Sequence, residues 1–545
     1  MNGHVRAGRP PRARGGASRL RRAVSAAASL LLVSALTAAC AVADGAESGK
    51  PGVLTIGMTA SDIPNLDTSL SADQGYEGTR FVGMQLYDGL TRYDLAQGDH
   101  VPNAVPSLAT SWEQDPGGVS WTFHLRQGVS FTDGTPFDAD AVVFNLDRYL
   151  NKESPQYYPQ AGAQASLSLT GVQSYAKVDD RTIRIFTKGE WSHLPGDLTT
   201  VFMASPTAVR TWGNTGFAEH PVGTGPFVFR SAKRGQELVL DANRDYWRGA
   251  AKIDRLVLRP MPDELSRVAA LRAGEVNWIE APSPDNVPPL RDAGYQIMTN
   301  GYDHIWPWLF NTSDGPLSDR RVRQALNYAI DREQMSRDLL GGTAEPATQL
   351  SARSGVAYDP ANDVFGHDPA KARQLLAEAG YPDGFSMTVS YPTGGSGNMQ
   401  PGPMNEELRS DLAKVGVRVE LKPIEWAAML TSYISGSFPD GADAVNISLT
   451  FIQEVSWSTS FASGSPLNLT HYSNPEVDRL LGESLKEADL ARRSAIYAQI
   501  VGLIDRDAPW LVVVNDRNPR ALAANVHGFV EPQSWFVDLT TVSVS

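Results

Sequence analysis

WTFHLRQGVSFTDGTPFDADAVVFNLDR, Trp121 to Arg148, holds a strand, a turn and a helix in one short stretch. Trp121, Phe123 and Leu125 alternate with Thr122 and His124, which is the period of a half-buried strand. Asp133–Gly134 marks a turn, with Pro136 just beyond it. Asp140 can cap a helix that carries Val143, Leu146 and Leu150 on one face. Strand, turn and amphipathic helix in succession indicate a mixed α/β chain.

The same signals recur outward from this stretch. Ile183 with Ile185, Leu238 with Leu240, and Leu256 with Leu258 suggest further strands. The second half is more helical. Asp319 to Leu340 sets Val322, Leu326, Ala329 and Met335 near one face, and Gly341–Gly342 ends it. Pro369 to Ala379, Met404 to Val415, Val477 to Leu485 and Ala491 to Ile504 read as helices too. Val417, Val419 and Leu421 form a strand pattern, as does Trp510 to Val514. Gly223 to Pro226 suits a tight turn with a positive φ and a fixed φ in sequence. No Lys-Ser/Thr follows it, so it is not a phosphate cradle. Arg320, Arg321 and Arg323 suggest helix-surface pairing.

Several blocks occur in order along the chain: LYDGL (Leu86–Leu90), PSLATSW (Pro106–Trp112), the opening stretch, GTGPF (Gly223–Phe227) and NRDYWRG (Asn243–Gly249). LSDRRVRQALNYAIDREQM (Leu317–Met335), HDPAKARQLLAEAGYPDGF (His367–Phe385) and YSNPEVDRLL (Tyr472–Leu481) follow. Together they resemble the family-5 extracellular solute-binding proteins of bacterial ABC importers, the oligopeptide, dipeptide and nickel binding group. The resemblance implies an α/β periplasmic-binding-protein-like fold, with two lobes joined by a hinge and an extra subdomain in lobe I. Mapped by motif, the lobe I core is 54–79, 206–309 and 515–545. The subdomain is 80–205 and lobe II is 310–514. The two crossings are expected near Trp308–Asn311 and Val513–Asp516. The implied partners are a small-molecule solute and the permease and ATPase subunits of an importer, with the binding protein itself a monomer.

Cys40, the single cysteine of 545 residues, follows seven arginines and the uncharged run Ala23 to Ala39. A basic region, a short apolar run and small residues before a cleavage point describe a secretory signal peptide. Residues 1–39 are that signal, Cys40 is the expected lipidation site, and 40–53 is a small, polar tether. The expected location is the extracytoplasmic face of the cell membrane. The pair Arg21–Arg22 leaves a twin-arginine route open beside the general one. Loss of the seven arginines takes the formal charge from −13 to −20, which argues against nucleic acid as a partner.

An enzyme would need a nucleophile, a metal site or an acid–base pair. The nine histidines are scattered, with no H-E-x-x-H. Gly394–Gly395–Ser396–Gly397 lacks the last glycine of G-x-S-x-G and reads as a flexible loop. A secreted hydrolase is therefore the lesser alternative. A nickel or haem chaperone lacks a visible His or Met cluster. No cofactor or metal is expected.

For the ligand, peptide binders of the resembling family hold the amino terminus with an aspartate in a loop after a lobe II strand. Here that strand is Ala444–Leu449, and the loop Thr450–Trp457 contains no aspartate. Glu454 is the candidate replacement. The aromatics Tyr157, Tyr158, Trp306, Trp308, Phe451 and Trp457 can stack on a ligand, and Asn515 lies at the second crossing. Two specificities stay open: a peptide or peptide-like solute, and an oligosaccharide, glycoside or opine.

Overall fold

The computed structural model describes residues 50–545 apart from 452 and 453; the signal segment and Cys40 lie outside the described residues. Three sheets organise the chain. The first has seven strands in the order Gln296–Met298, Arg520–Leu522, Trp278–Glu280, Val53–Met58, Arg255–Pro260, Glu237–Ala242 and Phe227–Lys233. Val53–Met58 runs parallel to both its neighbours and is wholly buried, as a strand covered on both faces must be.

The second sheet has the order Ala344–Pro346, Trp510–Asp516, His304–Phe310, Ala444–Asn446, Ser386–Pro392 and Arg418–Ile424, with Leu449–Thr450 also paired to His304–Phe310. Cores cover both its faces. Trp306, Trp308 and Phe310 pack with helices Arg320–Ala329, Pro369–Glu378 and Pro401–Ala413. Ile305, Leu309 and Val445 pack with helices Pro475–Ser484 and Leu490–Asp507. A small antiparallel sheet, Ala109–Gln114, Ser120–Leu125, Thr182–Thr187 and Val172–Asp179, packs on helix Ala139–Leu150 through Phe123, Ile183, Ile185 and Leu146.

Several expectations shift in detail. The helix after Pro136 is capped two residues earlier, because the Asp138 carboxylate accepts from the Ala141 N–H at 3.0 Å. Asp140 instead pairs with Lys177, and Val142, Leu146 and Tyr149 are the buried side chains. The long helix expected from Asp319 to Leu340 is interrupted. Ile330 is extended, and the Asp331 side chain caps a new turn at Gln334 N. Arg323 does not pair at the surface. It is buried and donates to the carbonyls of Leu317, Ser318, Asp507 and Ala508.

The glycines of GTGPF serve close approach and do not take positive φ. A Cβ on Gly223 would lie 2.1 Å from the Leu86 carbonyl oxygen, and one on Gly225 would lie 2.5 Å from the Leu86 carbonyl carbon. This contact joins three of the sequence blocks. Thr224 Oγ1, Tyr246 Oη and Trp247 Nε1 each donate to the buried Asp88 carboxylate at 2.9 Å.

The crossings also move. Trp308–Phe310 and Val513–Asp516 form the last residues of central strands of the second sheet, His304–Phe310 and Trp510–Asp516. The chain passes between the two large sheets at 299–303 and 517–519. A seven-residue apolar run such as HIWPWLF is long enough to be a complete doubly covered strand, so it cannot also be the link.

Candidate functional site

A cavity of about 190 Å³ lies where elements around the first and second sheets meet. From one side it is lined by the turn Ser69–Gln74 and the helix that follows, by Thr200–Phe202, and by Trp535. From the other come His304, the first residue of its strand, Ser396, helix Trp426–Ile434, residues 447–450, and helix Val455–Phe461. Helix Pro159–Leu169, beside the small sheet, closes the end with Gln164, Ala165 and Ser168.

The lining is hydroxyl-rich and aromatic. Ser69, Ser71, Ser448, Thr459 and Ser460 contribute hydroxyls, and Tyr76, Phe202, Trp426, Tyr433 and Trp535 contribute rings. Burial pushes the Tyr76 phenol up to about 12 and raises that of Tyr433, so both stay neutral donors at neutral pH. Among the described residues, no Asp, Glu, Lys or Arg lines the cavity.

Two glycines give the tryptophan and histidine of the lining their places. A Cβ on Gly395, whose φ is +95°, would fall 2.4 Å from the Trp426 ring. One on Gly397, at φ +77°, would fall 2.6 Å from His304 Cε1. The stretch Gly394–Gly397, expected as a flexible loop, is thus packed against Trp426 and His304, and its Ser396 lines the cavity. A Cβ on Gly75, on the opposite side, would lie 3.3 Å from the Trp426 ring, so this indole bridges the cleft.

Hydrogen bonds span the same cleft near its small-sheet end. Ser192 N donates to Leu485 O at 2.7 Å, and Ser192 Oγ to Glu487 O at 2.8 Å. Val455 N donates to Asp197 Oδ1 at 3.4 Å, and the Val455 side chain enters the small-sheet core.

None of the residues expected to meet the ligand lines this cavity. Trp306 and Trp308 are fully buried under the second sheet, where their Nε1–H groups donate to Asn398 O at 3.1 Å and Asn405 Oδ1 at 2.7 Å. Phe451 and Trp457 stack on each other at 4.2 Å in the core on the sheet's other face. Tyr158 lies over Arg148 at 5.3 Å, and half-buried Tyr157 packs beside Gly162. Asn515 donates to the His304 carbonyl within the sheet region. Glu454 is taken by Arg493 Nη2 at 2.8 Å and Tyr497 Oη at 3.2 Å. Ile452 and Gln453 of the expected loop lie outside the described residues. The residues that do line the cavity, Tyr76, Trp426, Tyr433 and Trp535, come from separate segments of the chain, and no periodicity singles them out. The positive-φ glycines beside a serine at 394–397 were the one local signal.

Among the described residues, no group of three or more His, Cys, Asp or Glu is placed to hold a metal ion. No described helix is long and apolar enough to cross a membrane. Sheet-bearing bodies that meet around a cavity give the architecture of a solute-binding protein of the periplasmic type. The chain belongs to the bacterial extracellular solute-binding proteins, family 5, whose profile matches residues 103–459. Heme-binding protein A of Haemophilus influenzae is 30% identical, across 92% of this chain and 96% of that protein. The glutathione-binding protein GsiB of Pectobacterium atrosepticum is 29% identical, across 93% and 96%. A dipeptide-binding protein from a Pseudoalteromonas species, solved with Met-Leu, shares the fold at a TM-score of 0.78 and 24% identity, across 90% of this chain and all of that one. The ABC transporter-associated periplasmic binding protein DppA of Helicobacter pylori, solved with the peptide STSA, does so at 0.77 and 24%, across 90% and 98%.

Proposed function

We propose that this chain is the solute-capturing subunit of an ABC importer. It holds a small solute between its sheet-bearing halves and presents the closed form to a membrane permease. The cavity walled from both sides, with hydrogen bonds spanning the cleft beside it, carries this reading. Links as short as 299–303 and 517–519 suit a hinge, which needs a few residues at element ends. The names of the relatives, which bind haem, glutathione and dipeptides, support a peptide-like or similarly small cargo. Cys40 is proposed as the lipid-bearing first residue of the mature chain, which keeps the binding body at the extracytoplasmic face of the cell membrane. Small-angle scattering of the mature protein, before and after loading with the solute recovered from it, tests the mechanism: the loaded form is expected to be the more compact. Equal dimensions, together with undiminished uptake of that solute in cells that lack the gene, would remove it. Cys40→Ala is expected to release the protein from the membrane fraction with its solute affinity intact.

A further inference from the structure

We infer that the cavity takes an uncharged solute, one that offers hydrogen-bond acceptors and apolar faces but neither a free ammonium nor a free carboxylate. This rests on the cavity being the solute site. Its first support is the lining, which contains no Asp, Glu, Lys or Arg among the described residues. The charges on adjoining turns are already engaged. Glu77 accepts from Thr59 N at 2.8 Å and Thr59 Oγ1 at 2.5 Å. Arg80 pairs with Glu280 and donates to the Trp535 carbonyl. Asp73 accepts from Asn65 N at 3.0 Å, and Glu454 is held by Arg493 and Tyr497. His304, a lining residue, sets its Nδ1 3.5 Å from the Asp516 carboxylate without a hydrogen bond to it.

The second support is independent. Trp426 Nε1 and Trp535 Nε1 are buried, belong to lining residues, and have no hydrogen-bond partner among the described residues. Ser396 Oγ is in the same position. An indole N–H only donates, and a buried donor left unanswered is costly. These groups therefore ask for carbonyl, ether or hydroxyl oxygens. Both indoles are fixed in advance. Trp535 is stacked on His304 at 4.9 Å and lies under the Arg80 guanidinium at 4.4 Å. Trp426 is seated on Gly395.

A zwitterion entering this space would shed the water around two ions and meet no counter-charge, which is the unfavourable case for burial. A neutral solute loses less and gains the waiting donors. The cavity, at about 190 Å³, is smaller than the roughly 300–1,000 Å³ common for ligand sites, so the solute is compact. Two sources share this chemistry: a peptide whose termini are blocked or joined in a ring, and a neutral glycoside.

The test uses titration calorimetry on the mature protein, freed of bound solute by mild unfolding and refolding, with four probes. These are Met-Leu, its N-acetyl amide, cyclo(Met-Leu), and methyl glucoside. Mass spectrometry of the solute released in the unfolding step accompanies it. At least one uncharged probe is expected to bind about tenfold or more tighter than Met-Leu, with little dependence on salt. Binding of a blocked or cyclic peptide alone assigns the first source, and binding of methyl glucoside alone assigns the second. Met-Leu binding as tightly as every uncharged probe overturns the inference, as does a released solute that is ionised at neutral pH. In either case solute capture itself still stands. A released solute that is neutral upholds the inference even where no probe binds. An absence of both released solute and probe binding overturns the inference together with the capture reading beneath it.

Discussion

Trp535 touches two polar regions of opposite character. One is the ionic cluster of the first sheet. Arg80 and Arg520 flank Glu280, Trp278 Nε1 donates to it at 2.6 Å, and Arg520 also pairs with Glu531. All four ionic side chains are buried. The other is the cavity, whose lining holds no Asp, Glu, Lys or Arg and whose indole N–H groups lack partners among the described residues. The difference follows from permanence. A buried charge is tolerable where folding supplies its partner once and for good. A space that must fill and empty cannot keep that promise, so its polarity is carried by neutral donors.

The comparison breaks most visibly when the permanent pairing is removed. Burial alone would raise the Glu280 carboxyl, but Arg80 and Arg520 hold it below the usual carboxylate range. Arg520→Met keeps much of the side-chain volume and strips Glu531 of its partner, while Glu280 retains Arg80. Loss of one member of a buried pair costs about 3–5 kcal/mol. The midpoint of urea unfolding is expected to fall accordingly, with little relief from added salt. A change below about 1 kcal/mol would show that the cluster is hydrated and comparable to a surface pair.

Asp303 sharpens the contrast, because it is a buried carboxyl with no cation beside it. It stands at the link 299–303 and accepts from Ala352 N at 2.8 Å and Ser351 Oγ at 3.2 Å. Burial nevertheless pushes its pKa up to about 6. The folded state therefore holds a proton that the unfolded state has released between about pH 4 and 6. Stability from this group is fully present below the unfolded pKa and is lost as pH rises through the folded one. A shift of about two units corresponds to about 3 kcal/mol at most. Asp303→Asn is expected to flatten the stability profile across that window relative to the parent protein. An unchanged difference between pH 4 and pH 7 would mean that the group is ionised in the fold.

The sequence made the fold legible because its blocks are structural joints. LYDGL, GTGPF and NRDYWRG converge on Asp88, and such joints tolerate few residue types. The strands and most helices followed from periodicity. The site did not. Trp306 and Trp308 were plausible cleft residues because they are large, aromatic and close to an expected crossing. They instead occupy a strand covered on both faces, and a run without polar alternation is the signature of such a strand. Trp426 and Trp535 show no such pattern, since a cavity wall assembled from separate segments has no sequence period. Asp331 was hidden for another reason. In Asp331–Arg332–Glu333 a cap and a helix surface look alike, and only the extended Ile330 tells them apart.

Trp426→Phe addresses the cavity side of the comparison with a smaller effect. The ring remains on Gly395, and the N–H is lost. A neutral hydrogen bond contributes about 1 kcal/mol, so affinity for an uncharged solute is expected to drop roughly fivefold while the unfolding midpoint stays nearly constant. A greater loss of stability than of affinity would reassign Trp426 to packing.

The smallest effect on binding is expected at Glu454, which sequence position alone would make the ligand's counter-ion. Its carboxylate is held by the Arg493 guanidinium and the Tyr497 hydroxyl, one residue before the helix that lines the cavity. A carboxylate so engaged would have to break a charge-assisted pair before meeting a ligand amine, and such bonds are about twice as strong as neutral ones. Glu454→Gln keeps the shape and can still accept from Arg493. Solute affinity is therefore expected to stay within about twofold of the parent, while stability falls by about 1 kcal/mol as a partly exposed pair is weakened. If calorimetry instead shows a tenfold or larger loss of affinity with stability unchanged, Glu454 swings away from Arg493 to meet a cation. The charge-free cleft would then no longer contrast with the ionic cluster behind Trp535.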